Sequence, residues 1–325
     1  MSDPYSHAKL RASISIVTPT LDRPDEVRDL LESSKGQTVL PLEVIVVDGA
    51  PPLRDQTQRV VEDARHWAPF ACRYRRQGGG TAVQRNAGID QATGDYIAFI
   101  DDDIRLDQDF FERIMEVFAQ DVGGRVGGIT GYILNQHLDP NSSPRWRWYR
   151  RFRLFATYEP GRYDFESGYP INRYLQPPHE GVREIDFMGC GCAVWRRAVF
   201  EDGLRFSEFF TGYGVLEDAH LALRARRRWS LLECGRARCQ HLRQAVGRED
   251  SRQIAWKSAV NYRFVFMDIV PQRTMSQELR FWRVQLFDLL RFFLYAVRVP
   301  RAASWQTVLG KAQGIVAATK LRSTA

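Results

Sequence analysis

The sequence lacks three features that would place it in common protein classes. It has only five cysteines in 325 residues and no Cys-x-x-Cys pair, so neither a disulfide framework nor a common zinc module is indicated. It has no uninterrupted run of about 18 apolar residues, which argues against a membrane-spanning helix. Residues 1–11 are polar, and we expect no signal peptide there. These absences favour a cytoplasmic protein with reduced thiols.

Charge gives a first indication of partners. The chain has 46 Lys and Arg residues against 39 Asp and Glu, and its net charge is +7. A positive balance suits an anionic partner such as a nucleotide phosphate, a phospholipid surface or nucleic acid. Charge alone does not choose among these partners.

The most informative stretch is 97–103, in which four apolar residues precede Asp101, Asp102 and Asp103. The apolar part predicts a buried strand, and three adjacent carboxylates at its end repel one another and resist burial. A divalent cation with a phosphate ligand would balance this charge. The alternative is an acidic turn that caps the next helix, with Asp107 as its N-cap. We favour the metal site, because the acids follow a buried strand directly.

Apolar strands alternate with amphipathic helices along the first 125 residues. Strands are predicted at 13–17, 44–47, 70–75 and 97–100, and helices at 24–37, 57–66 and 81–91. This alternation is typical of a mostly parallel sheet covered on both faces. We expect residues 18–20 to end the first strand. Asp48 and the three aspartates of the acidic triplet also follow predicted strands. Ligands bind at such strand ends, so we expect these groups to converge.

The second part of the chain changes in pattern. Residues 144–155 interleave Arg with aromatics, 160–178 predict a long loop, and Glu217 and Asp218 begin a predicted helix. From about residue 247 the chain predicts helices. We therefore expect a catalytic domain at 1–246, with halves at 13–125 and 126–246, and a helical region at 247–325.

Seven short motifs follow one another along the chain. They are residues 17–24 (VTPTLDRP), 46–49 (VVDG), 84–89 (QRNAGI), 92–97 (ATGDYI), the acidic triplet, 189–191 (GCG) and the Glu217–Asp218 pair. Each motif alone is weak, but the ordered set over 13–241 resembles the inverting members of the family 2 glycosyltransferases. The resemblance implies the GT-A fold, an α/β architecture with a Rossmann-like, mostly parallel sheet flanked by helices, and here a C-terminal helical extension.

The resemblance implies a nucleotide-sugar site. Its candidate residues are Thr18, Pro19, Thr20, Arg23, Asp48, Arg85, Asp101, Asp102 and Gly191. Asp48 can accept a hydrogen bond from the imide N–H of a base such as uracil; the alternative is a turn residue before Gly49. Arg23 and Arg85 can donate charge-assisted hydrogen bonds to base or phosphate. For Arg23 the alternative is a solvated arginine at a helix start.

The resemblance also implies a metal site and a general base. The D-x-D role falls on Asp101 and Asp103, with Asp103 holding Mg²⁺ or Mn²⁺ on the diphosphate, and spacing does not decide which aspartate does which. His241 corresponds to a further metal ligand in several members of this fold; the alternative is a structural histidine. Asp218 is implied to be the general base, with Glu217 supporting it. The alternative is a pair of acids favoured by the helix dipole alone.

We therefore expect an inverting, metal-dependent glycosyltransferase of the hexosyltransferase type. It would move a sugar from a nucleoside diphosphate sugar, with UDP as the expected nucleotide, to a hydroxyl of a glycan or lipid-linked acceptor in polysaccharide or glycoconjugate biosynthesis. One alternative is a sugar nucleotidyltransferase, which usually has a Gly-rich phosphate loop where this chain has Thr-Pro-Thr. The other is a basic membrane-surface or nucleic-acid-binding protein without catalysis.

Residues 278–299 predict a helix that is apolar over most of its surface. Its arginines, which lie on one narrow face, are Arg280, Arg283, Arg291 and Arg298. This pattern is typical of a helix in the plane of a membrane, and equally of one packed on the catalytic domain or on a second subunit. A second amphipathic helix follows at 304–316. We expect peripheral contact with the inner face of the membrane, a homodimer or internal packing. For 144–155 we favour an anionic acceptor or membrane surface over nucleic acid, and the alternative is a solvated loop with buried tryptophans.

Overall fold

A computed structural model of the chain describes residues 10–11, 13–212, 214–242 and 250–321. Its strands are β1 (Leu10–Arg11), β2 (Ile14–Thr20), β3 (Val39–Leu40), β4 (Glu43–Asp48), β5 (Ala71–Arg76), β6 (Tyr96–Ile100), β7 (Ile104–Leu106), β8 (Val126–Ile133), β9 (Tyr163–Asp164), β10 (Tyr169–Pro170), β11 (Val182–Ile185), β12 (Cys192–Arg196) and β13 (Ser230–His241). Its helices are α1 (Pro24–Lys35), α2 (Gln56–Ala64), α3 (Thr81–Ile89), α4 (Phe110–Ala119), α5 (Pro144–Arg151), α6 (Ala198–Glu201), α7 (Glu217–Ala225), α8 (Ser251–Ile269), α9 (Met275–Arg298) and α10 (Ala302–Thr319).

A nine-stranded sheet forms the centre of the molecule. Its order is β11-β13-β8-β12-β6-β2-β4-β5, and β7 pairs with β13. Strands β6, β2, β4 and β5 are parallel, while β12 runs antiparallel between β6 and β8. Alternate side chains of β6 enter two different apolar clusters, one on each face of the sheet. The predicted α/β fold is thus confirmed, and the carboxyl ends of β2, β4 and β6 lie side by side.

The first long strand does not end where the sequence predicts. Residues Thr18, Pro19 and Thr20 belong to β2 and pair with β4 as far as Thr20 opposite Asp48. On its other side β2 pairs with β6 only as far as Val17. Beyond Val17 one edge of β2 is therefore unpaired, and a proline without an N–H can be accommodated there.

Local structure differs from expectation at three further places. Residues 144–151 form the helix α5, and the predicted loop at 160–178 contains the short antiparallel pair β9–β10. Helix α4 begins at Phe110 without a side-chain cap, and β7 separates it from the acidic triplet. The alternative of an acidic turn capped by Asp107 is therefore wrong.

A buried ionic cluster fastens residues 173–183 to the sheet. Glu233 on β13 is fully buried and accepts hydrogen bonds from Arg173 (2.7 Å), Arg183 (2.7 Å) and His179 (3.0 Å). Burial would raise the pKa of Glu233, but His179 and the two arginines outweigh it and lower the pKa to about 2. The cluster thus holds residues 173–183 against β13.

The C-terminal region is helical, as predicted, although its expected start near 247 lies outside the described residues. Asp250 caps α8 through the N–H of Gln253, and Thr274 begins α9 with a capping box. Among the described helices, none is both long and apolar enough to cross a membrane. The proposed division at residue 246 remains a prediction.

Candidate active site

The acidic triplet lies at the carboxyl end of β6, and its three aspartates have different surroundings. Asp102 is buried; it accepts hydrogen bonds from the Thr20 hydroxyl (2.7 Å) and from Arg23 Nη1 (2.6 Å). Burial is the main cause that raises the pKa of Asp102 to about 7. The Asp101 side chain is partly exposed. The alternative of a solvated Arg23 is wrong, because its guanidinium binds the triplet.

Arg85 joins the triplet to the Glu217–Asp218 pair. Its guanidinium donates to Asp101 Oδ1 at 2.9 Å through Nη2, and Nη1 contacts Glu217 Oε1. Arg85 and Glu217 are both buried, with 6% and 3% of their surface exposed. Burial works against the charged guanidinium, but its acidic neighbours, above all Glu217, raise the pKa of Arg85 above its ordinary value. Residues from α3, β6 and α7 are thus connected by one cation.

Glu217 and Asp218 form the first turn of α7. Asp218 accepts hydrogen bonds from the backbone N–H of Ala219 (2.7 Å) and of Cys190 (3.3 Å). Burial raises the pKa of Asp218 above its ordinary value and that of Glu217 to about 7. Leu216, directly before them, has φ 71°, a strained conformation for a residue that is not glycine.

The 189–191 loop passes between the two acidic groups. A Cβ on Gly189 would lie 3.1 Å from Asp218 Oδ2, and a Cβ on Gly191 would lie 3.2 Å from Asp101 Oδ2. Both distances are tighter than an ordinary van der Waals contact. The glycines therefore leave space beside the carboxylates that larger side chains would fill.

Asp103 and His241 meet at the edge of the site. Asp103 Oδ1 and His241 Nε2 are 3.0 Å apart. Two ligand atoms that are each about 2.1 Å from an octahedral metal and at right angles also lie about 3.0 Å apart. No ready cluster of three His, Cys, Asp or Glu ligands occurs among the residues described. The pair nevertheless fits a site completed by substrate phosphates, since Mg²⁺ is commonly held by one or two protein ligands plus phosphate.

Asp48 lies at the end of β4 and is fully buried. Its carboxylate accepts hydrogen bonds from the N–H groups of Asp22 (3.1 Å) and Ala50 (2.9 Å) and from the Tyr74 hydroxyl (3.2 Å). Burial and the Asp48 charge raise the pKa of Tyr74 to about 12. Asp48 thus orders the turn before Gly49, which agrees with the alternative that it is a turn residue. Its contact with a nucleotide base remains a prediction.

Two groups that support the site were not assigned from the sequence. Gln84 donates to the carbonyl groups of Thr20 (2.7 Å) and Val47 (2.9 Å), so it ties the end of β2 to that of β4. Asn135 exchanges hydrogen bonds with the His241 backbone, and Gln136 contacts its ring. Gln84 begins the 84–89 motif and is a polar residue on the buried face of α3, but neither signal indicated its role.

The structure brings together nearly all the predicted site residues. Thr20, Arg23, Asp102 and Asp103 form one contact group, and Asp101, Arg85, Glu217, Asp218 and Gly191 form another. His241 joins the first group through Asp103. Thr18 and Pro19 are buried within β2, and neither has a side-chain hydrogen bond in the described part of the chain.

A parallel-rich sheet with these acidic groups at its carboxyl edge defines a GT-A glycosyltransferase fold. Residues 15–204, more than half of the chain, match glycosyl transferase family 2. The chain therefore belongs to this family. Membership decides against the nucleotidyltransferase alternative.

The chain is similar to several curated proteins over part of their length. It is 36% identical over 182 residues to the uncharacterized glycosyltransferase YwdF of Bacillus subtilis, covering 53% of this chain and 62% of that protein. It is 32% identical over 112 residues to the uncharacterized glycosyltransferase YibD of Escherichia coli, covering 33% and 31%. A glucosyl-dolichyl phosphate glucuronosyltransferase of Haloferax volcanii is 29% identical over 123 residues, covering 36% and 38%. The match thus spans about a third of the length of two of these relatives.

Solved structures show the same fold at low identity. The mannosyltransferase PcManGT from Pyrobaculum calidifontis, in complex with GDP-Man and Mn²⁺, gives a TM-score of 0.54 at 15% identity and covers 99% of this chain and 80% of its own. GalNAc-T7 with UDP, GalNAc and Mn²⁺ gives 0.58 at 13% identity, covering 86% and 52%.

Proposed function

We propose that this protein is an inverting glycosyltransferase of the hexosyltransferase type that uses a divalent metal. It transfers a sugar from a nucleoside diphosphate sugar to a hydroxyl of a glycan or lipid-linked acceptor. The observation that carries the proposal is the Arg85 bridge, which joins Asp101 at the end of β6 to Glu217 beside Asp218. The bridge supports the proposal because it brings the residue proposed to face the leaving phosphate close to the residue proposed as the base.

Asp218 is the proposed base. Its carboxylate takes the proton of the acceptor hydroxyl while that oxygen attacks the anomeric carbon of the sugar. The bond from this carbon to the phosphate oxygen breaks on the opposite side, and the nucleoside diphosphate leaves with the electron pair. A raised pKa favours this role, because a base with a pKa closer to neutrality holds the proton better in the transition state. Glu217 acts on Asp218 through Arg85 and the first turn of α7.

The diphosphate lies, in this proposal, against the acidic triplet. Asp103 and His241 would hold Mg²⁺ or Mn²⁺, with Asp101 as a further ligand. When bound, the metal supplies positive charge that stabilises the departing diphosphate. The PcManGT and GalNAc-T7 structures each contain Mn²⁺ with a nucleotide or nucleotide sugar, which supports a divalent metal here.

The rest of the donor pocket comes from the ends of β2 and β4. We assign donor binding to Thr18, Pro19, Thr20, Arg23, Asp48, Arg85, Asp101, Asp102 and Gly191, with UDP as the expected nucleotide. Asp102 is assigned to hold Thr20 and Arg23 in place, since both contact its carboxylate. We further propose that the protein works in the cytoplasm, peripherally at the inner face of the membrane, on a substrate for polysaccharide or glycoconjugate synthesis.

Thermal unfolding with UDP, GDP, dTDP and CMP, each with and without Mn²⁺, tests the donor site. A ligand at about 100 times its Kd stabilises the folded state by about 2.7 kcal/mol, a shift of several degrees. We expect one diphosphate to act only when metal is present. Asp103→Asn should abolish the metal-dependent shift, and an equal shift in that variant would contradict the assignment.

Sugar transfer by Asp218→Asn tests the base. We expect transfer to fall by at least about a hundredfold, because a positioned base contributes that much, while the nucleotide shift persists. The matched control is Asp202→Asn, since Asp202 is exposed and pairs only with Arg228 among its described ion pairs. Normal transfer by Asp218→Asn would exclude Asp218 as the base.

A further inference from the structure

Helices α9 and α10 expose apolar side chains that the proposed function does not use. Of the twenty exposed large apolar residues in the described chain, eight lie on α9 and three on α10. We define the outer apolar face by Leu279, Leu286, Leu290, Phe293, Leu294, Val297, Trp305, Leu309 and Val316. At about 100° per residue, five of those on α9 fall within an arc of about 60°. Phe293 and Trp305, with ring centroids 5.8 Å apart, join the two helices.

The other side of α9 is packed against the protein. Phe281 stacks on Phe266 of α8 at 5.2 Å, and Gln285 accepts a hydrogen bond from the buried Lys311 of α10 at 2.7 Å. Asp288 is buried and accepts a hydrogen bond from the Tyr149 hydroxyl. Internal packing therefore accounts for one side of the helix and leaves the outer apolar face uncovered.

Helix α5 extends this surface. Trp148 and Phe152 are exposed, and their rings lie 6.2 Å and 5.3 Å from that of Phe287 on α9. Arg283 of α9 donates to the carbonyl oxygen of Phe152 at 3.3 Å. The Arg-aromatic stretch and the C-terminal helices, more than a hundred residues apart in sequence, thus form one continuous surface.

The exposed charged side chains of α5, α9 and α10 are basic, and Arg280 pairs with the partly exposed Glu166 at 3.9 Å. The acidic residues of α9 are Glu278, which pairs with Arg263 and Arg273, and the buried Asp288. Helices α5 and α10 have no acidic residue. The exposed charged residues of these three helices and their ends are Arg147, Arg150, Arg151, Arg280, Arg283, Arg298, Arg301 and Lys320. We propose that this surface binds an anionic lipid bilayer, with α9 and α10 lying in the plane of the headgroups.

A bilayer suits these observations better than a second copy of the chain. A twofold interface would place the same surface on both subunits and bring many basic side chains together, with Glu166 as the acidic partner of Arg280. Anionic headgroups supply the missing negative charge, and each Lys or Arg near such a surface strengthens binding. The inference deepens the proposed function by naming the surface and the lipid that it binds; it rests on that proposal for the membrane location and is independent of the sugar-transfer chemistry.

Vesicle flotation of the full chain tests the proposal. We expect co-flotation with phosphatidylcholine vesicles that contain about 30% phosphatidylglycerol, weaker binding at high salt, and little binding to phosphatidylcholine alone. Equal binding to both vesicles, or to neither, would overturn the proposal. A stable dimer that Leu290→Glu dissociates, without flotation of the wild type, would identify a second copy as the occupant.

Variants locate the binding surface. The double change Leu290→Glu and Phe293→Glu should lower vesicle partition by at least about a hundredfold, because each apolar side chain loses its burial in lipid. Arg150→Glu with Arg151→Glu should lower binding to anionic vesicles by at least about tenfold. Leu53→Glu is the matched control, since Leu53 is 97% exposed in the loop between β4 and α2. Unchanged partition of both double variants would refute the assignment.

Failure of the lipid-surface proposal can be distinguished from failure of the proposed sugar-transfer function. The Leu290→Glu and Phe293→Glu variant should keep the metal-dependent nucleotide shift, because neither side chain contacts the donor site. Its melting temperature also shows whether it folds. Loss of vesicle binding with an unchanged nucleotide shift supports the lipid surface. Loss of both would indicate that this variant misfolds, and vesicle binding by the Arg150→Glu and Arg151→Glu variant then tests the lipid surface.

Discussion

The Arg85 bridge makes a specific prediction about stability and pH. Arg85→Met removes the cation that lies between Asp101 and Glu217 and leaves the Glu217 carboxylate buried with no opposite charge. Breaking a buried ion pair costs about 3–5 kcal/mol when the remaining charge stays ionised. We expect the lower end of this range, since the Asp101 side chain is 35% exposed and can be solvated.

The pH dependence follows from Glu217. Burial raises its pKa from 4.5 to about 7 in the folded protein, so its contribution to stability is full below pH 4.5 and is lost as pH rises through 7. Arg85 opposes this rise, and its removal pushes the pKa of Glu217 higher still. The cost of Arg85→Met should therefore be largest near pH 8 and much smaller near pH 5.5, where Glu217 is protonated.

Urea unfolding at the two pH values measures this difference. The double variant Arg85→Met with Glu217→Gln should be more stable than Arg85→Met alone at pH 8, because it buries no unpaired charge. Arg228→Met is the control: Arg228 is largely exposed, and its pair with Asp202 is worth at most about 1 kcal/mol at either pH. An equal cost at both pH values, with no rescue by the double variant, would refute the reasoning.

Three further predictions concern other parts of the fold. Glu233→Gln should lower the free energy of unfolding by about 3–5 kcal/mol, because Arg173 and Arg183 lose a buried anion. With a pKa near 2 the Glu233 carboxylate stabilises the fold above about pH 4.5, and this contribution is lost as pH falls toward 2. Acid titration followed by circular dichroism should therefore show unfolding of the wild type at a lower pH than unfolding of the variant. Gly88→Ala should cost about 1–3 kcal/mol in denaturant melts, since its Cβ would lie 2.2 Å from Val17 Cγ1, whereas Gly78→Ala meets nothing within 4 Å and should be nearly neutral. His241→Ala should weaken metal-dependent nucleotide binding by about tenfold or more in calorimetry and leave metal-free binding unchanged; equal weakening of both would indicate a structural role.

The central sheet was predictable because its strands are short apolar runs between helices. The runs at 44–47 and 97–100 are buried on both faces, so their composition alone predicts a covered parallel sheet. The end of β2 was missed because Pro19 looks like a terminator in sequence. Whether a neighbouring strand needs its N–H depends on tertiary pairing, which local pattern does not contain.

The site was predictable as a set of residues but not as a set of contacts. The charge of the acidic triplet indicated a candidate site. Sequence alone could not show that the Asp102 carboxylate accepts hydrogen bonds from Thr20 and Arg23. It also could not show that Arg85 spans 132 positions of sequence to Glu217. Leu216 carries no signal at all, because a left-handed conformation is expected of glycine and not of leucine.

The orientation of helix α9 also could not be predicted from its sequence. Its sequence is apolar on nearly every side, so periodicity could not decide which side faces the protein. The structure buries the side that carries Gln285 and Asp288, because Lys311 and Tyr149 satisfy these polar groups. The side that carries Leu279, Leu286 and Leu290 is left outside, the reverse of what burial of apolar surface alone would produce.

Helix α8 connects the outward-facing helices with the strained turn before the acid pair. Lys257 donates to the carbonyl oxygen of Thr211 at 2.6 Å, and Asn261 donates to that of Val215 at 2.9 Å. The second bond holds the residue directly before Leu216, whose positive φ costs about 1–3 kcal/mol. Helix α10 packs closely along α8, since a Cβ on Gly310 or Gly314 would meet the α8 backbone. The helix that supports the turn before Glu217 and Asp218 therefore also supports α10, which carries part of the outer apolar face.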